Sequence, residues 1–227
     1  MRTPNSTSIA GKVRNAVVRG GIRAWSTTDF PDLPSRTVAL TLNRLKDDAE
    51  LVAVRKGLYW RGRKYAFGMS RPDSMAIVAA LVGESGYGWA GRSAANALGL
   101  STQVPTVDEL AVPARIRDIP GVHFVRRESR RRDDLAPTDI TVLEVLDAWK
   151  GVIDVEISEA VHRIVRLIQS GEADAKALVH AAPGENAGTR DRLAAILRLA
   201  DRPDLARRVP GSALPQTRAR ALDGIDV

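Results

Sequence analysis

Between Ser26 and Arg61 the chain passes in turn through a helix-start signal, a proline break, an amphipathic stretch and two short apolar runs around a basic turn. Very few folds take that order of signals in so short a span. Ser26-Thr27-Thr28-Asp29-Phe30 opens a short helix over Thr27–Phe30, and Pro31 and Pro34 break the chain after it. Ser35 stands where a cap belongs, ahead of a helix over Arg36–Asp48 that carries Val38, Leu42 and Leu45 on one face. After Asp47-Asp48-Ala49-Glu50 the period changes. Leu51-Val52-Ala53-Val54 reads as a strand, Arg55-Lys56-Gly57 as a turn and Leu58-Tyr59-Trp60 as a returning strand. Upstream, Ile9, Val13, Ala16 and Val17 recur at helical spacing over Ile9–Arg19, and Gly20-Gly21 ends the run. Residues 1–8 are polar and predicted to fray. Three helices closed by a basic hairpin form the pattern of a winged helix-turn-helix, in which one helix enters the DNA major groove.

The charge distribution agrees. Residues 1–66 hold thirteen Lys and Arg against five Asp and Glu, whereas residues 67–227 hold twenty-one against twenty-two. A compositional preference for arginine would spread along the chain; this excess sits on the helix-turn-helix pattern, where it attracts phosphates. The chain has no cysteine, which excludes disulfides, thiolate metal sites and thiol catalysis. No run nears the roughly 18 apolar residues of a membrane span. The start, Met1-Arg2-Thr3-Pro4, predicts no signal peptide, so the expectation is a soluble, cytoplasmic protein.

Beyond residue 66 the signals predict a mixed region. A helix capped at Asp73 or Ser74 runs through Met75, Ile77, Val78 and Leu81, followed by the glycine-rich Gly83–Gly91 and a short helix over Arg92–Leu98. Val104–Val125, broken by Pro105, Pro113, Pro120 and Gly121, predicts a small β-meander with Val122–Val125 as one strand. Helices follow over Thr141–Trp149, Ser158–Ser170, Asp174–His180 and Thr189–Ala200, with a loose tail after Pro210. The predicted fold is therefore α+β. A winged helix-turn-helix occupies 1–66, and 67–227 forms a mixed α/β domain ending in a helical cluster.

With Val38, Leu42 and Leu45 inward, the outward set of the recognition helix is Ser35, Arg36, Thr37, Ala39, Leu40, Asn43 and Arg44. Arginine takes guanine bidentately and asparagine takes adenine, so Arg36 and Asn43 are the expected base readers, with Ala39 or Leu40 facing a thymine methyl. Thr27 and Thr28 stand at a helix N-terminus, a place for phosphate. Arg55 and Lys56 at the wing tip would grip the backbone or minor groove. Asp47, Asp48 and Glu50 repel phosphate, which points that end of the helix out of the groove.

The segment ending in Arg55-Lys56-Gly57-Leu58-Tyr59, together with Gly88-Trp89-Ala90-Gly91-Arg92-Ser93-Ala94-Ala95-Asn96-Ala97-Leu98-Gly99-Leu100-Ser101-Thr102-Gln103-Val104-Pro105, resembles the AbiEi-type antitoxins of bacterial type IV toxin–antitoxin, or abortive-infection, modules. The resemblance implies a winged helix that represses its own operon by binding inverted repeats as paired copies. It also implies a C-terminal part that counters a cognate nucleotidyltransferase-like toxin. By position it implies DNA contact for Arg36, Thr37, Asn43, Arg44, Arg55 and Lys56. It supplies no catalytic residue, metal ligand or cofactor. Arg92, Ser93, Asn96 and Gln103 fit its motif without an assigned chemical role, and fixing the loop by hydrogen bonding is the simplest one.

Other patterns compete. Gly86-Tyr87-Gly88-Trp89-Ala90-Gly91 matches the dinucleotide motif G-x-G-x-x-G, with Val78–Val82 as the strand before it and Asp108 or Glu109 at the ribose distance. A ligand-responsive regulator would share the same N-terminal pattern. Glu159 and His162 have Glu-x-x-His spacing, but di-iron bundles need a second pair, and His123, His162 and His180 form no zinc pattern. Arg126–Arg132 reads as a solvated edge that Asp133 and Asp134 neutralise, with a second DNA contact or a toxin-facing surface as alternatives.

Overall fold

The computed structural model describes residues 8–225. The expected fraying of the start therefore lies outside the described residues, apart from Ser8. The chain divides into two compact units, Met1–Leu81 and Val82–Val227.

The first unit opens with α1 (Ile9–Arg19), capped where the Ser8 hydroxyl accepts the Gly11 N–H at 3.0 Å. The strand β1 (Arg23–Ser26) leads into a 3-10 turn over Thr27–Asp29 in place of the predicted second helix. Ser26 and Asp29 form a reciprocal cap around this turn, which satisfies its first donors within three residues. Next comes α2 (Ser35–Asp47), which starts one residue earlier than predicted. Pro34 takes the cap position, its carbonyl accepts from Thr37 and Val38, and Ser35 makes no side-chain cap. Ala49, at φ +55°, then turns the chain as Glu50 and Leu51 both donate to the Leu45 carbonyl. The strands β2 (Val52–Arg55) and β3 (Leu58–Arg61) pair antiparallel around Lys56-Gly57, where Gly57 at φ +81° takes the left-handed conformation a tight turn needs.

β1 was not foreseen. It pairs antiparallel with β3, Trp25 opposite Tyr59, so the sheet order is β1-β3-β2. A four-residue strand whose partner lies over thirty residues away leaves no local period to read. Under the sheet, Val13 and Val17 of α1 meet Val38, Leu42 and Leu45 of α2, with Trp25 and Leu51. Each such side chain contributes about 1.5–3 kcal/mol on full burial, and together they hold the orientation of α2. A hairpin of β4 (Lys64–Tyr65) and β5 (Gly68–Met69) follows, and α3 (Ser74–Val82) comes after it.

The second unit contains a three-stranded sheet. β6 (Gly88–Trp89) pairs antiparallel with β7 (Asp108–Val112), and β7 runs parallel to β8 (Val122–Arg126). The β-meander is thereby corrected. Pro120-Gly121 turns only a single antiparallel bridge, Ile119 opposite Val122, ahead of β8; the chain over 113–121 crosses back, so β7 and β8 point the same way. Between β6 and β7 lies α4 (Gly91–Ala97).

The helical cluster is α5 (Pro137–Val152), α6 (Ile157–Ser170), α7 (Ala175–Ala181), α8 (Ala187–Leu199), α9 (Pro203–Ala206) and α10 (Pro215–Ala221). Helix α5 is buried around nearly its whole circumference, from Ile140 to Trp149, and so forms the centre of this core. The expected loose tail is instead α10. It packs on α8, with Arg192 Nε donating to the Ala221 carbonyl at 3.1 Å and Ile225 buried.

Arg126–Arg132 is also corrected. Its last member is not a solvated edge. Arg132 is 5% exposed and bonds Glu144 at 2.5 Å and both oxygens of Glu185 at 2.8 and 2.5 Å. Arg127 holds the same Glu144 at 2.7 and 2.5 Å. Burial acts to lower the pKa of Arg132, but the hydrogen bonds and charges of Glu185 and Glu144 outweigh it and raise it. Carboxylates from distant segments, not Asp133 and Asp134, neutralise this arginine.

Candidate nucleic-acid interface

Helix α2 has one face committed and one free. Val38, Thr41, Leu42 and Leu45 are buried; Ser35, Arg36, Ala39, Leu40, Asn43 and Arg44 are exposed. Arg36, Leu40, Asn43 and Arg44 fall at four-, seven- and eight-residue spacing, which aligns them as one stripe along the helix. Thr37 is half-buried, and its carbonyl accepts the Thr41 hydroxyl at 2.8 Å. Arg55 and Lys56 are exposed at the β2–β3 turn.

The ion pairs of this unit make its free charges selective. Asp48 pairs with Arg14 at 3.4 Å, Asp47 with Lys46 at 2.8 Å, Glu50 with Lys64 at 3.4 Å, and Asp29 with Arg23. The hydrogen bond to Asp47, reinforced by its charge, raises the pKa of Lys46. Among the described residues, Arg36, Arg44, Arg55 and Lys56 enter no ion pair, and Asn43 makes no side-chain hydrogen bond. The carboxylates at the C-terminal end of α2 are thus occupied with neighbouring cations, while the cations of the stripe and the turn have no carboxylate neighbour among the described residues.

Thr27 and Thr28 lie on the 3-10 turn, half-buried and exposed respectively. The Thr28 N–H donates to Ser26 Oγ at 3.2 Å, and the two hydroxyls are 2.6 Å apart. The N–H that a phosphate would use is therefore already engaged by the cap. Beside it, Arg23 lies over the Trp25 ring at 3.9 Å, and Trp25 stacks on Phe30 at 5.8 Å. This stack braces the turn, and the sequence reading did not single it out.

In the second unit the motif residues hold a loop together. Arg92 reaches Gln103 at 3.3 Å, Ser93 Oγ accepts the Glu109 N–H at 2.9 Å, and Asn96 donates to the Ser101 carbonyl at 3.3 Å. Ser101 donates to Asp154 at 2.5 Å. The glycine-rich Gly86–Gly91 segment follows a helix, since 74–82 is α3, so the strand that a dinucleotide motif requires before its glycines is not in place. Glu159 is taken up by Arg163 at 2.5 Å. Among the described residues no three His, Asp or Glu side chains gather in a metal-binding group, and no helix is long and apolar enough to cross a membrane.

No family model matches the chain, and no curated protein matches it. The crystal structure of RV2827C protein from Mycobacterium tuberculosis is similar at a TM-score of 0.46, with 13% identity, over 90% of this chain and 82% of that one. A likeness at that level transfers neither topology nor function.

Proposed function

We propose that the first unit is a winged helix-turn-helix that holds duplex DNA, and that the protein is a non-enzymatic antitoxin repressing its own operon. One observation carries the DNA reading. The stripe Arg36–Leu40–Asn43–Arg44 is exposed and, among the described residues, the side chains of its polar members lack partners, on a helix whose opposite face is anchored in the core. In this reading α2 enters the major groove along the stripe from Arg36 to Arg44, with its last turn, Leu45–Asp47, pointing out. Arg36 and Asn43 read base edges, Ser35, Thr37 and Arg44 contact the backbone, and Arg55 and Lys56 grip phosphates from the wing. Thr28 offers a hydroxyl, not a backbone N–H, and Thr27 stands beside it. The antitoxin half of the proposal rests on the resemblance of residues 88–105 to the AbiEi-type proteins. It includes a nucleotidyltransferase-like toxin as partner and operator DNA with inverted repeats.

The test is a titration of the full chain against duplex DNA from upstream of its own gene, at several salt concentrations. Arg36→Ala is expected to weaken binding by about 1–3 kcal/mol and to relax base preference, while Lys56→Ala weakens all duplexes alike and lowers the salt slope by about one. Equal, sequence-blind losses for both variants would refute the assigned roles. Co-expression with the neighbouring gene, scored for rescue of growth, tests the antitoxin half.

A further inference from the structure

The β4–β5 hairpin is a second basic ribbon, and its apex carries an aromatic side chain with nothing over it. Lys64 pairs with Met69 and Tyr65 with Gly68, so Ala66 and Phe67 form the turn. Phe67 is fully exposed and Tyr65 is 56% exposed. The base, in contrast, is tightly held. Ser70 N–H donates to the Arg63 carbonyl at 2.8 Å, Arg63 N–H to Ser70 Oγ at 3.0 Å, and Trp60 Nε1 to the Ser70 carbonyl at 3.2 Å. Gly62 is buried so closely between Ser70 and Trp60 that a side chain there would collide with both. The hairpin is thus fixed to the end of β3 while its tip stays bare. Arg61, Arg63, Lys64 and Arg71 flank it, and among the described residues only Lys64 has a carboxylate partner, Glu50 at 3.4 Å.

A planar apolar group framed by unpaired guanidinium groups calls for a partner with both phosphates and flat apolar faces, the chemistry of a nucleic acid. We infer that this hairpin is a second DNA-contacting element of the first unit, with Phe67 wedged against a base step from the minor groove and Arg63 and Arg71 on the flanking phosphates. The inference rests on the reading of this unit as a duplex-DNA binder. The wing turn at Lys56-Gly57 precedes β3 and the hairpin starts at Lys64, seven residues after Gly57, so along the chain the two ribbons are at most about 23 Å apart. That is less than one helical turn of duplex, about 34 Å, so one duplex can meet both.

The test uses the full chain and a mixed-sequence duplex labelled for fluorescence anisotropy, with end-to-end energy transfer as a measure of bending. Phe67→Ala is expected to weaken binding roughly 5- to 10-fold, in keeping with the loss of one aromatic–base contact. Because no counterion is involved, the plot of affinity against salt shifts without changing slope. The bend decreases, Phe67→Trp restores it, and Arg63→Ala instead lowers the slope by about one. Phe67 is fully exposed, so an unchanged melting temperature accompanies the loss. If Arg36→Ala weakens binding and Phe67→Ala leaves it unaltered, the hairpin inference falls and the α2 reading stands. If Phe67→Ala weakens binding and Arg36→Ala does not, the reverse holds. Failure of the unaltered chain to bind any duplex at low salt removes both. Unchanged duplex affinity with lost binding to phosphatidylserine vesicles assigns the apex to a lipid surface and overturns the inference.

Discussion

Replacing Glu144 by Gln probes the buried charge network of the second unit. Glu144 lies on α5, is 1% exposed, and accepts three charge-assisted hydrogen bonds, two from Arg127 and one from Arg132. Arg132 is equally enclosed and keeps a bidentate bond to Glu185. The amide of glutamine has nearly the same shape but one acceptor oxygen and no charge, and its NH2 would face a guanidinium. Removing one partner of a buried ion pair costs about 3–5 kcal/mol, because the charge left behind stays desolvated. With a urea m-value of about 2 kcal/mol/M for a unit of this size, the midpoint falls by roughly 1.5–2.5 M. Arg127→Ala is the control. The side chain of Arg127 is 34% exposed, and its loss leaves Glu144 bonded to Arg132. Its charge-assisted bonds, discounted for solvent screening, contribute about 1–2 kcal/mol, which corresponds to less than about 1 M of urea. The assay is urea unfolding followed by far-ultraviolet circular dichroism, with amide exchange of α5 reporting the second unit separately. If Arg127→Ala moved the midpoint as far as Glu144→Gln, the account of Glu144 as the shared counter-charge of two arginines would be refuted.

Gly20→Ala places a methyl against the Trp25 ring and within 2.8 Å of the Ala16 carbonyl. It should destabilise the first unit by about 1–3 kcal/mol, the usual cost of overpacking, as read by thermal melting. Ser35→Ala should cost the fold less than about 0.5 kcal/mol, because Ser35 caps nothing. Asn186→Ala, which removes the cap of α8 accepting the Thr189 N–H at 2.9 Å, should cost about 1 kcal/mol; comparable losses in chemical denaturation would contradict the cap assignments. Burial raises the pKa of Asp139, although the Asp174 N–H donates to it at 2.7 Å. Below the unfolded pKa both states hold the proton and no cost arises. As pH rises through the raised folded value, the native state must ionise a buried carboxyl and loses stability relative to acid. The stability difference between Asp139→Asn and the wild type should therefore shift toward the wild type as pH is lowered to about 4, the unfolded carboxylate range. A difference constant with pH would contradict this.

Several elements could be read before any tertiary information because their signals are local. Val13 and Val17 in α1, and Val38, Leu42 and Leu45 in α2, repeat at a helix's period and are all buried. Lys56-Gly57 announced the turn between β2 and β3 by the only residue type that adopts φ +81° without strain. The readings that failed depended on partners elsewhere. No local rule could tell that Arg132 would be enclosed when Arg130 and Arg131 stay exposed, since its carboxylates come from residues 144 and 185. The residues after Pro210 resembled a tail because α10 has too little apolar surface of its own; it is held by α8. The hairpin apex left a trace, one phenylalanine among cations between Ala66 and Gly68, yet only its full exposure marks it as unused by the fold.

Periodicity, turn chemistry and charge placement were thus sufficient to locate α1, α2, the turn between β2 and β3 and the basic end of the chain, because each depends on residues within a few positions of one another. The pairing of β1 with β3, the parallel course of β7 and β8, the enclosure of Arg132 and the freedom of Arg36, Arg44, Arg55 and Lys56 were decided by folding alone. Each depends on which distant groups come within hydrogen-bonding range. Coulomb and hydrogen-bond energies fall off over a few ångströms in space, whatever the separation along the chain.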